Sequence, residues 1–136
     1  MSLRALPVTV VPFLLYFVFA LTGVDFTASL TGGDGWKMMS GGVWKLTWGD
    51  VILVITMVTL FIEILKATYT STASLVDHGL SMVLFIAALI AFLMVPQAAT
   101  SVFFLLLVAL VIDVIAGFTI GIRVAKRDIG FGGGDQ

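Results

Sequence analysis

Few residues in this chain could do chemistry, and most of them interrupt apolar runs. Asp113 lies inside "LVALVIDVIAGFTIGIRVAKRD", residues 107–128, near the middle of a stretch that otherwise reads as a membrane-spanning helix. Thr59, Glu63 and Lys66 recur at i, i+4 and i+7, which puts them on one helical stripe. Ser74, Asp77, His78 and Ser81 recur at i, i+3, i+4 and i+7 on another. Asp113 shares its stripe with Gly117 and Gly121, a small-xxx-small pattern that lets a neighbouring helix approach closely.

Ionisable groups inside spans are costly and usually face a protein interior or water. Glu63 can pair with Lys66 one turn away or snorkel to the interface; its functional reading is a proton acceptor. Asp77 fits an interfacial carboxylate near a helix start, where the dipole favours negative charge. His78 is the only histidine, so a haem held by two histidines of one chain is impossible. One imidazole could still ligate a chlorophyll-type magnesium or a haem shared across a homodimer; the plainer reading is a hydrogen-bonded polar residue near the interface. For Asp113 two roles stand side by side. As a protonated or hydrogen-bonded acid it can join neighbouring spans; as an exchanging acid it can belong to an ion path with His78, Asp77 and Glu63, flanked by Ser81 and Thr59.

No catalytic constellation accompanies these groups. Neither G-x-S-x-G nor H-E-x-x-H occurs, so no catalytic residue is assigned. There are no cysteines, which removes disulfides, thiolate metal sites and a cysteine nucleophile. No metal or cofactor is expected beyond lipid contacts and the minority pigment or haem reading of His78.

The elements that must position these residues follow from composition. The 136 residues are 60% hydrophobic and 11% charged, with a mean hydropathy of +1.19. Soluble domains average about 45–50% apolar and about 25% charged, so a soluble fold of this length could not hide this surface. The net charge of −1 gives no basic face for nucleic acid. Apolar runs at about 6–24, 50–68, 72–95 and 101–122 approach the length of about 20 residues that a span needs. The expected fold is all-α: a polytopic membrane protein with four transmembrane helices in an antiparallel bundle, forming one domain over residues 1–128. Arg4 before the first run resembles a signal peptide, but no clean small-x-small site follows, and the run is read as a retained span.

The connections set the orientation. Arg4, Lys66, Arg123, Lys126 and Arg127 fall on one side of four alternating spans, and Lys37 and Lys45 on the other. That bias predicts cytoplasmic N and C termini, in a protein with the look of a bacterial inner-membrane component. Loop 25–49 on the outer side carries Trp36, Trp44 and Trp48, expected as interfacial anchors, among glycines that break it into short pieces. No Gly-Lys-Ser/Thr follows those glycines, so the loop is not a phosphate cradle. Residues 129–136 are expected to form a flexible tail.

The sequence therefore predicts a small integral membrane protein without enzymatic activity, serving as an accessory or assembly subunit of a larger complex. Its partners would be the bilayer and other membrane subunits or further copies of itself. A transporter or channel component carrying protons or small ions is the alternative, and a pigment-, haem- or quinone-associated subunit a third.

Overall fold

A computed structural model describes residues 5–69 and 71–132, and side chains as far as Arg127. Arg4, used in the orientation argument, lies outside the described residues. Four helices and a two-strand ribbon in the long loop between the first two make up the described chain's main elements: α1 (Val10–Leu21), β1 (Trp36–Lys37), β2 (Val43–Trp44), α2 (Trp48–Lys66), α3 (Thr72–Met94) and α4 (Ser101–Gly132). By length and apolar composition, α2, α3 and α4 can cross a membrane, while α1 is a shorter apolar helix.

Residues 6–24, expected as one span, give a helix of only 12 residues. Pro7 lacks a backbone N–H, and residues 5–9 form irregular turns that aim main-chain groups at the other helices. Pro12 is tolerated because the first-turn amides have no helical acceptor anyway. At the far end Gly23 adopts φ +79. The Val24 amide donates to Phe19 O at 2.9 Å and the Gly23 amide to Ala20 O at 3.4 Å. This is a Schellman stop, which satisfies carbonyls the helix end would orphan.

Trp48 begins α2 and is not a loop residue. Thr47 and Asp50 form a reciprocal capping box: the Asp50 amide donates to Thr47 Oγ1 at 3.2 Å and the Thr47 amide to Asp50 Oδ2 at 2.9 Å. Ser71 caps α3, accepting from the Ser74 amide at 3.1 Å. A 3₁₀ turn at Pro96–Ala98 then reverses the chain into α4. α4 continues to Gly132, beyond the end expected near residue 122, so that the first four residues of the expected tail are helical. The 27 residues Ser101–Arg127 extend about 40 Å at 1.5 Å per residue, longer than the hydrocarbon core of about 30 Å. The surplus is the basic end carrying Arg123, Lys126 and Arg127.

Residues near Thr9 touch α4 at Asp113 and α2 at Glu63, whereas Tyr16 touches the start of α4 at Thr100. Lys66 at the end of α2 meets Asp77 at the start of α3, and Phe92 near the end of α3 packs on Phe103. The four helices therefore run alternately up and down. In the half holding the α1–β1 loop, Phe13, Tyr16, Ile52, Phe103, Leu106 and Leu110 form a continuous apolar core. Tyr16 stacks on Phe26 with ring centroids 4.6 Å apart and Phe13 meets Phe103 edge-on at 5.6 Å. The Tyr16 hydroxyl bonds Gln97 O at 2.7 Å and Thr100 Oγ1 at 2.6 Å, closing this end.

Candidate functional site

The opposite half holds the ionisable groups. Glu63, Asp77, His78, Ser81, Asp113, Thr56, Thr59 and Thr9 are all buried. α2 supplies Thr56, Thr59, Glu63 and Lys66; α3 supplies Asp77, His78 and Ser81; α4 supplies Asp113; the segment before α1 supplies Thr9. Helical spacing puts each set on one stripe of its helix, and the packing turns that stripe inward.

Lys66 is the hub. Its Nζ lies 3.0 Å from Glu63 Oε1 and 2.9 Å from Asp77 Oδ1, and donates to Leu6 O at 2.8 Å. Glu63 Oε1 also accepts from the Val8 amide. One ammonium and two carboxylates thus join α2, α3 and the turn that leads into α1. The carboxylates are 1% and 0% exposed at residue level, and the ammonium and amide replace the water lost at Glu63 Oε1 and Asp77 Oδ1. Asp113, 2% exposed, accepts from Thr9 Oγ1 at 3.2 Å. Thr9 is the N-cap of α1 yet makes no side-chain cap bond; its hydroxyl goes to Asp113.

The glycine stripe faces His78. A Cβ on Gly117 would lie 2.7 Å from His78 Nδ1 and 2.9 Å from its Cε1, so only glycine leaves the imidazole its place. Gly121 is looser: its Cβ would lie 3.8 Å from Nε2. Phe118 flanks the ring with centroids 5.8 Å apart. Four buried atoms here lack a hydrogen-bond partner among the described residues: Glu63 Oε2, Asp77 Oδ2, His78 Nε2 and Ser81 Oγ. Thr56 and Thr59 spend their hydroxyls on Ile52 O and Thr56 O of their own helix, at 2.8 and 2.9 Å.

No family model, curated protein or solved structure matches the chain. What the arrangement can do rests on its own chemistry.

Among the described residues, no group of three or more histidine and carboxylate side chains is arranged to hold a metal ion. The candidate residues gather at one end of the bundle, with Asp113 the deepest carboxylate. Thr9, the Val8 amide and the Leu6 carbonyl were missed by sequence reasoning. The only signal was a lone hydroxyl in "LPVTVVPF", and two of the three groups are main-chain. The tryptophans lie elsewhere. Trp36 and Trp44 face each other across the ribbon, ring centroids 5.1 Å apart, and both are exposed. Trp48 packs edge-on against Phe19 at 5.6 Å.

Proposed function

We propose that this chain is a small integral membrane protein that acts, without enzymatic activity, as an accessory or assembly subunit of a larger membrane complex. In this reading both termini are cytoplasmic, in a bacterial inner membrane, and the ionic hub lies near the cytoplasmic face. Trp36 and Trp44 rest in the outer headgroup layer. The buried polar groups act as an internal clamp that fixes the helices, so that their outer faces present a defined surface to lipid and to neighbouring subunits.

The observation that carries this reading is where the polar groups stop. From Lys66 they run through Glu63, Asp77 and Asp113 to Thr56, and beyond lies the apolar core of Ile52, Leu106, Leu110, Phe103 and Tyr16. A proton needs a chain of hydrogen-bonding groups or water, and the side chains of Ile52, Leu106, Leu110 and Phe103 offer no hydrogen-bonding group. At most 39% of a spanning window is buried within the chain. The remaining apolar surface is available for lipid or protein partners.

A second reading, a proton or small-ion carrier, draws on the unpartnered atoms of Glu63, Asp77, His78 and Ser81, which could border a water-filled half-path. Proteoliposomes with an imposed pH gradient separate the two. The accessory reading expects the gradient to decay as in empty vesicles, with and without Asp113→Asn. Faster decay that Asp113→Asn abolishes would establish the carrier instead.

A further inference from the structure

Beside the hub, a cavity of about 290 Å³ opens between the first turns of α3 and residues 118–125 of α4. Leu75, Phe118 and Ile122 give it apolar walls, and Tyr69, Ser71, Ser74 and His78 carry its polar groups. His78 is 5% exposed, and its Nε2 has no hydrogen-bond partner among the described residues. That nitrogen is the ring atom nearest Gly121, itself a wall residue. A buried imidazole nitrogen without a partner loses its hydration, and a polar ligand atom in the cavity would restore it.

The lining defines the ligand. Apolar walls with a small number of placed polar groups are the usual make-up of a small-molecule site. No lysine or arginine lines the cavity among the described residues, and Asp77, the neighbour of His78, is spent on Lys66. A phosphate or carboxylate ligand would therefore meet no neutralising charge. The volume suits a single substituted ring and not a tetrapyrrole. On the α4 wall Phe118 offers an aromatic surface and Gly121 has no side chain to fill the space. An imidazole nitrogen serves a carbonyl as donor where it carries the proton and a hydroxyl as acceptor where it does not.

We propose that this cavity binds an uncharged membrane-dissolved ring of the quinone class, with one ring oxygen hydrogen-bonded to Nε2 of His78. Its alkyl tail would leave the cavity along the lipid-facing side of α4. The binding uses Nε2, beside Gly121, whereas Gly117 packs against Nδ1 and Cε1; it does not depend on the accessory role.

The test uses the full chain in phospholipid nanodiscs titrated with decyl-ubiquinone, with empty nanodiscs as the partition control. Saturable binding near one per chain is expected. His78→Leu, which removes the nitrogen but keeps bulk, should weaken it about tenfold, the scale of one hydrogen bond. His78→Gln should recover part of the loss. Ala125→Trp, which fills the cavity from an exposed wall position and leaves His78 in place, should abolish binding. Size-exclusion profiles matching the wild type show that the variants fold. Uptake no greater than in empty nanodiscs, affinity unchanged in both His78→Leu and Ala125→Trp, or equal competition by decanol, the mark of a site for any alkyl chain, would each overturn the proposal.

Discussion

Thr9 Oγ1 donates to Asp113 Oδ2 at 3.2 Å across 104 positions of sequence, joining the turn before α1 to the middle of α4. Both residues are almost fully buried, so this bond takes the place of the solvent that each has lost. Removing one partner of such a bond costs about 1–3 kcal/mol. Thr9→Val, which keeps the shape and deletes the donor, should lower the unfolding midpoint in detergent accordingly. Thr9→Ser should stay close to the wild type. Equal stability of Thr9→Val and the wild type would remove Asp113 from the clamp.

Lys66 holds two carboxylates that its own loss would leave uncompensated. Breaking a buried pair on one side costs about 3–5 kcal/mol, and partial exposure of the ammonium places Lys66→Met toward the lower end. The triple change Lys66→Met, Glu63→Gln, Asp77→Asn should regain much of that loss, because it removes the charges together. A thermal-stability series reads both. A triple variant no better than Lys66→Met would mean that the hub stabilises by something other than charge compensation.

Gly117 and Gly121 should respond oppositely to alanine. Relief of glycine's backbone entropy favours alanine by about 1 kcal/mol in a helix. At Gly121 the new methyl meets His78 only at ordinary contact distance, so Gly121→Ala should be neutral or slightly stabilising. At Gly117 it would stand 2.7 Å from the imidazole and must displace it, an overpacking cost of about 1–3 kcal/mol. Chemical unfolding of the two variants side by side checks the order; Gly117→Ala as stable as Gly121→Ala would contradict the packing described.

Asp25, in the loop after α1, accepts at Oδ1 from the Thr27 hydroxyl at 2.7 Å and the Thr27 amide at 2.9 Å. The hydroxyl first, and the amide with it, hold its carboxyl below the ordinary value. A lowered folded-state value means that the turn gains stability above the ordinary carboxylate range and loses it as pH falls through the lowered value. Thr27→Val should move the Asp25 midpoint upward, followed by the side-chain carboxyl resonance in micelles. An unmoved midpoint would assign the shift elsewhere.

Much of this was legible because periodicity survives in a membrane helix. The spacing of Glu63 with Lys66, of Asp77 with Ser81, and of Asp113 with Gly117 turns each set to one side whatever the neighbours are. The partners across helices were not legible. Thr9 reaches Asp113, and Leu6 O reaches Lys66, through non-helical turns that no repeat announces. The short α1 is not legible in the hydropathy either, because Gly23, which ends it at φ +79, lies inside the continuous apolar run. The ribbon went unseen for a related reason. Its strands are two residues long, and the Met38–Gly42 turn, with Gly41 at φ +87, is written in glycines that otherwise read as plain loop.

In the proposed reading the clamped bundle serves other membrane subunits. Its most direct test is the mass and composition of the particle obtained when the full chain is extracted from its native membrane in mild detergent. The account predicts a particle in which the 14.5 kDa chain occurs in fixed stoichiometry with different membrane subunits, and in which Lys66→Met depletes the chain from the complex. A monodisperse particle made of this chain alone would contradict it.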